Sequence, residues 1–146
     1  MFYLLELLLQ LKFPNVKSIE ISEFARWLDE ASVIPLIIDA RSQEEYALSH
    51  IKSAQWIQPD SGIVISESLD KPIVVYCSIG YRSAKVAQQL QLAGYSNVFN
   101  LSGGIFQWAN EEKPIFRDKH QVETVHPYNF IWGQLLKSKY HADISE

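Results

Sequence analysis

The single cysteine of this 146-residue chain, Cys77, sits where a nucleophile has work to do. It follows the apolar run Ile73-Val74-Val75-Tyr76, entered through Pro72, and precedes Ser78-Ile79-Gly80-Tyr81 and a helix expected to begin near Arg82. A loop between a strand's carboxyl end and a helix start turns backbone N–H groups into a concavity, where the positive end of the helix dipole also lies. Open parallel sheets bind ligands outside the carboxyl ends of their strands. A sulfur placed there, with Arg82 and Lys85 nearby, is favoured as the thiolate, the form that attacks electrophiles. The competing reading is a small buried hydrophobe closing a strand. The polar, glycine-containing turn that follows Cys77 favours the reagent. With one cysteine there is no intrachain disulfide framework, no Cys-rich zinc site and no two-cysteine redox motif.

The elements that position this loop can be read along the chain. Leu36-Ile37-Ile38 and Ile73 to Tyr76 are short continuous apolar runs, and Val98-Phe99 follows Gly94 and Asn97. Val16 to Ile19 and Ala54 to Ile57 are two further strand candidates. Strands apolar on both faces, with helices between them, indicate a parallel sheet covered on both sides. Ser22 is a plausible N-cap for a helix presenting Phe24, Trp27, Leu28 and Ala31 on one face. Ser83 to Ala93 presents Val86, Ala87, Leu90 and Ala93, with Gly94 as its terminator. Short helices are expected over Gln43 to Leu48 and Ile105 to Asn110, and a surface connection over Gln58 to Asp70. Trp27, Trp56 and Trp108 read as core aromatics.

Composition bounds the function. Hydrophobic residues make up 47% and charged residues 21%, so the chain is globular. Its net charge of −4 argues against a nucleic-acid partner, whose phosphates call for Lys and Arg. The Leu-rich start, Met1 to Leu11, is broken by Glu6 and Gln10 and falls short of the roughly 20 apolar residues that span a bilayer. It also lacks the marks of a secretory signal. Leu4, Leu7, Leu8 and Leu11 share one helix face, expected to pack on the domain, with membrane or dimer contact as alternatives. Without a targeting signal the expected compartment is the cytoplasm. Three segments are expected: an apolar extension over 1–14, a domain over 15–117 and an extension over 118–146. The last carries His120, His126 and His141 at spacings that match no metal-ligand pattern, and Pro127 to Leu136 as a candidate apolar helix.

At this point the residues resemble a known family. Cys77-Ser78-Ile79-Gly80-Tyr81-Arg82-Ser83 resembles the active-site loop of rhodanese-type sulfurtransferases, Cys-x-x-Gly-x-Arg-Ser. Ile38-Asp39-Ala40-Arg41, Glu44-Glu45-Tyr46, His50-Ile51 and Ala54 are similar to the family's first signature. Leu101-Ser102-Gly103-Gly104-Ile105, with Trp108, is similar to the segment after its last strand. Ser49, Lys52 and Ser53 depart from the pattern, standing where the family usually has Gly before the His and Pro-Gly after the Ile.

The resemblance implies an α/β fold: a central, mostly parallel five-stranded sheet with helices on both faces. It implies Cys77 as the catalytic residue, with Ser78, Ile79, Gly80, Tyr81, Arg82 and Ser83 forming the substrate-binding loop. Asp39 and Arg41 are implied as structural support, His50 as scaffold, and no metal or other cofactor is implied. Phosphatases and arsenate reductases of the same fold resemble Cys-x5-Arg, one residue longer, so the shorter loop points to sulfur transfer. The implied reaction moves a sulfane sulfur from a thiosulfate-like donor, through a Cys77 persulfide, to a thiol, a protein or cyanide. With no second cysteine, the acceptor is another molecule. The alternative is a catalytically silent module that recruits a partner.

Overall fold

The computed structural model describes residues 2–30, 34–58, 63 and 65–144. Five strands form one sheet in the order β1-β5-β4-β2-β3, every neighbouring pair parallel. They are β1 (Lys17–Ile19), β2 (Leu36–Asp39), β3 (Gln55–Trp56), β4 (Ile73–Tyr76) and β5 (Val98–Leu101). The helices are α1 (Phe2–Lys12), α2 (Ile21–Glu30), α3 (Gln43–Leu48), α4 (Tyr81–Leu92), α5 (Gly104–Asn110) and the single turn α6 (Phe130–Gly133). This is the α/β architecture with a central parallel sheet expected above.

β2 and β4 are buried throughout, which is why their sequences read as unbroken apolar runs. Alternate residues face opposite sides. Leu36, Ile38, Ile73 and Val75 join Val86, Ala87 and Leu90 of α4 on one face. Ile37, Val74 and Tyr76 join Phe24 of α2 and Ile105, Phe106 and Trp108 of α5 on the other. β4 lies at the middle of the sheet order, so its end is held by neighbours on both sides. Cys77 begins there.

Several local expectations change. α2 starts at Ile21, so Ser22 lies inside the helix and is no N-cap. Ala93 is exposed, because α4 ends one residue earlier; Gly94 follows with φ +106°, as a terminator should. Trp108 is buried, while Trp27 and Trp56 are half-buried, Trp27 packing against the main core, and use their indole N–H groups on Glu23 and on the Arg41 carbonyl. The connection over Gln58 to Asp70 lies partly, and Ala31 wholly, outside the described residues.

α1 packs through a different face from the one expected. Phe2, Leu5, Glu6 and Leu9 turn inward, followed by buried Phe13, while Leu4, Leu7, Leu8 and Leu11 are exposed. Leucine occupies both faces of this helix, so periodicity could not choose between them. Among the described residues, no helix is long and apolar enough to cross a membrane.

A hairpin not anticipated from sequence, β6 (Ile115–Arg117) with β7 (His120–Val122), follows α5. His50 bridges to Phe116 beside it. The tail then returns to the domain, placing Val125 and Leu136 in the main core. The departures at 49 and 53 have local reasons. The buried Ser49 hydroxyl donates to the Thr124 carbonyl at 2.7 Å, tying the tail down. Ser53 takes φ +67°, a left-handed turn conformation that glycine adopts more easily.

Candidate active site

Cys77 is 1% exposed, and its sulfur lies under a loop whose backbone bends back over it. Gly80 makes the bend with φ +117°, and its N–H donates to Sγ at 3.1 Å. The Ser83 hydroxyl stands 3.3 Å from Sγ and 2.6 Å from Asn100 Oδ1, so its one proton serves either acceptor. Asn100 Nδ2 donates to the Gly80 carbonyl at 3.0 Å. Asn100 therefore fixes both donors that face the sulfur. Its signal in the sequence is its place as a polar residue inside the strand Val98-Phe99-Asn100-Leu101.

The other side of the loop is held by α5. The Ile105 and Phe106 N–H groups donate to the Cys77 and Ser78 carbonyls at 2.9 and 3.1 Å. These are orphan donors at a helix start, satisfied by the loop backbone. Because each peptide is planar and trans, the N–H groups of Ser78 and Ile79 point away from α5. The approach is close enough that a Cβ on Gly104 would meet the Cys77 and Ser78 carbonyl oxygens at 2.5 Å. Gly103 and Gly104, at φ +77° and +59°, supply backbone shape here.

Arg82 does not stand free. Its guanidinium makes a two-pronged pair with Glu45, Nη1 to Oε1 at 2.8 Å and Nη2 to Oε2 at 3.0 Å. Nη2 also donates to Ser78 Oγ at 2.9 Å, and the Tyr128 ring lies 4.3 Å from Cζ. Arg82 is a brace across the loop, with Glu45 as its charge partner. Burial pushes the Glu45 carboxyl up, but the hydrogen bonds and charge of Arg82, with Arg41 behind it, hold it at about 2. Glu45 also closes a capping box with Ser42 at the start of α3. The Ser-x-x-Glu spacing was legible in the sequence; its reach to Arg82 was not.

The remaining residues singled out earlier are dispersed. Asp39 and Arg41 form a fully buried pair at 2.7 Å, joined by the Tyr76 hydroxyl donating to Asp39 at 2.6 Å. This triad anchors the ends of β2 and β4. His50 is buried, stacks on Tyr46 and contacts the Ile51 carbonyl. Ile79 is half-buried, and Tyr81 is exposed, with Lys12 Nζ donating to its hydroxyl at 2.9 Å. Among the described residues, no group of His, Cys, Asp or Glu has the makings of a metal site. Of the three tail histidines, His126 accepts from the Tyr128 N–H and His141 contacts the Leu136 carbonyl, while His120 is exposed in β7.

A sulfur at a strand end, approached by an amide N–H and a hydroxyl and enclosed by a braced loop, can carry negative charge and exchange a bonded atom. The chain is 38% identical over 97 residues to the probable adenylyltransferase/sulfurtransferase MoeZ of Mycobacterium tuberculosis, covering 63% of this chain and 24% of that protein. It is 35% identical over 75 residues to the thiosulfate sulfurtransferase GlpE of Pseudomonas fluorescens, covering 50% of this chain and 69% of that one. A third relative, the tRNA uridine(34) hydroxylase of Enterococcus faecalis, is 31% identical over 141 residues, 81% of this chain and 42% of that protein. The chain thus spans about a quarter of the MoeZ relative and under half of the hydroxylase. In fold it matches the crystal structure of a rhodanese-related protein from Thermoplasma volcanium, with a TM-score of 0.60, 23% identity, and coverage of 70% of this chain and 99% of that one. The Rhodanese-like domain model matches residues 20–111, the stretch that holds β2 to β5, Glu45, the Cys77 loop and the glycines of α5, and the chain belongs to that family.

Proposed function

We propose that this protein is a sulfurtransferase in which Cys77 carries the sulfur. The observation that carries the reading is the sulfur's setting: Sγ at the foot of β4, with the Gly80 N–H at 3.1 Å and the Ser83 hydroxyl at 3.3 Å. The Cys77 thiolate attacks the outer sulfur of a thiosulfate-like donor. A new S–S bond forms on Sγ while the donor's own S–S bond breaks, its electron pair leaving on sulfite. The loop donors stabilise the negative charge on the sulfur before and after transfer. A thiolate acceptor, or cyanide, then takes the outer sulfur, and the bond to Sγ breaks to restore the Cys77 thiolate.

Relatives named as sulfurtransferases support this reading. The hydroxylase relative matches most of this chain and raises a second reading, chemistry on an RNA uridine. The net charge of −4 weighs against that partner. The test is intact mass after thiosulfate treatment: the wild-type chain gains one sulfur atom and Cys77→Ser gains none. Thiosulfate:cyanide transfer undiminished in Cys77→Ser overturns the proposal, and a wild-type chain that never gains sulfur favours the silent partner-binding module.

A further inference from the structure

Beside the Cys77 loop lies an apolar cavity of about 220 Å³ that none of the chemistry above uses. α1 supplies Leu5, Leu8 and Leu9, the loop supplies Ile79 and Tyr81, and the tail supplies Trp132. Four of those six residues come from segments outside the matched range 20–111. The cavity is thus built where this chain's two ends meet the loop. Its loop wall is Ile79 and Tyr81, the residues on either side of Gly80, whose N–H touches Sγ at 3.1 Å.

Size and charge identify the occupant. An aliphatic-lined cavity of about 150 Å³ takes a benzene ring, so this one, which opens to solvent, has room for a ring with a few further atoms. Trp132 offers an aromatic face for such a ring. The rim is cationic. Lys12 Nζ lies 2.9 Å from the Tyr81 hydroxyl, and Lys85 Nζ lies 5.8 Å from the centre of the Tyr81 ring. Among the described residues, no carboxylate lines the cavity. An aromatic body with an anionic group satisfies both features.

We infer that this cavity is the acceptor subsite, and that it selects a small aromatic thiol bearing a carboxylate. The inference rests on Cys77 as the sulfur carrier. The acceptor's thiolate attacks the outer sulfur of the Cys77 persulfide; the new S–S bond forms on the acceptor, the bond to Sγ breaks, and its electron pair returns to Cys77. The transferred sulfur keeps the negative charge it carried on Cys77, and no oxidant or reductant is needed.

The experiment has a transfer arm and a binding arm. In the first, Cys77 persulfide made with thiosulfate is mixed with 4-mercaptobenzoate, 2-mercaptoethanol or cyanide, each rate being divided by its rate with a small organic persulfide. The wild-type chain is expected to favour 4-mercaptobenzoate over 2-mercaptoethanol by about tenfold or more, and Trp132→Ala and Leu8→Glu to lose that preference. Their rates with cyanide, which is too small to need the cavity, stay within about twofold of wild type. Equal normalised rates for the two thiols in wild type overturn the inference, as does a variant that slows every acceptor alike. In the second arm, 4-(methylthio)benzoate, which cannot accept sulfur, is titrated against the unloaded chain. Saturable binding in wild type that is lost in both variants supports the site, and no binding overturns it. If no persulfide forms, sulfur transfer has failed, and the binding arm still decides the cavity.

Discussion

Glu45 joins three parts of the site through one carboxylate. It receives Arg82 through both oxygens, Ser78 through Oε2 and the Ser42 N–H through Oε1, and it is only 2% exposed. Its pKa falls from the usual 4.5 to about 2 on folding. A group whose folded pKa is depressed stabilises the fold fully above the unfolded value and ceases to do so as pH falls through the folded one. The Glu45 contribution, on the order of 3 kcal/mol, is therefore present above about pH 4.5 and is lost between there and about pH 2. Glu45→Gln is expected to lower stability at pH 7 by about 1–3 kcal/mol, since it leaves Arg82 without its charge partner. It should also flatten the acid limb in that window. Urea midpoints measured across pH check both, and an unchanged acid limb would sink the assignment.

At the scale of the element, α5 is a clamp as much as a core helix. Its first amides hold the Cys77 and Ser78 carbonyls, and Gly104 is what lets the two backbones approach. Gly104→Ala places a methyl 2.5 Å from two carbonyl oxygens at a backbone φ of +59°. Relief requires the loop to shift. The expected outcome is a loss of about 1–3 kcal/mol in stability and a persulfide-formation rate at least tenfold lower. Stopped mixing with thiosulfate, read by mass, and a thermal melt separate the two effects. A normal rate in a destabilised variant would show that α5 supports the fold and not the loop. α1 reaches the same loop from the opposite direction: Leu9 Cδ1 lies 3.1 Å from where a Gly80 side chain would begin. Of the outward leucines of α1, Leu8 borders the cavity beside the loop, and Leu4, Leu7 and Leu11 are exposed.

For the whole molecule, the matched range 20–111 does not contain the whole core. Val125 is 0% and Leu136 2% exposed, both packed with α2, α5 and the sheet. The tail is held by Ser49 to Thr124, by Asn110 Nδ2 to the Leu135 carbonyl and by Val125 N–H to the Tyr140 carbonyl. Leu136→Ala, far along the chain from Cys77, is expected to cost about 2–5 kcal/mol in urea unfolding, as a buried leucine does. A cost near zero would mean that the tail rests on the domain without completing it. The tail also brings Tyr128 over Arg82 and Trp132 to the cavity wall, so core and site share one segment.

The amino-acid sequence by itself determined the sheet and the place of the sulfur. Continuous apolar runs require burial on both faces, a condition a parallel sheet under helices meets. A cysteine between such a run and a glycine turn lands at the strand's carboxyl end. The short helices over Gln43 to Leu48 and Ile105 to Asn110 were legible for the same reason: their physics acts over a few residues. The tertiary structure alone decided which charges met. Arg82 and Glu45 are 37 positions apart, and their pairing, which makes Arg82 a brace across the loop, follows from packing α3 beside the loop. It decided the inward face of α1 too, because leucine on both sides leaves the choice to whatever surface the helix finds. The apolar cavity exists only where the two chain ends meet the loop, and no local pattern of residues carries that information.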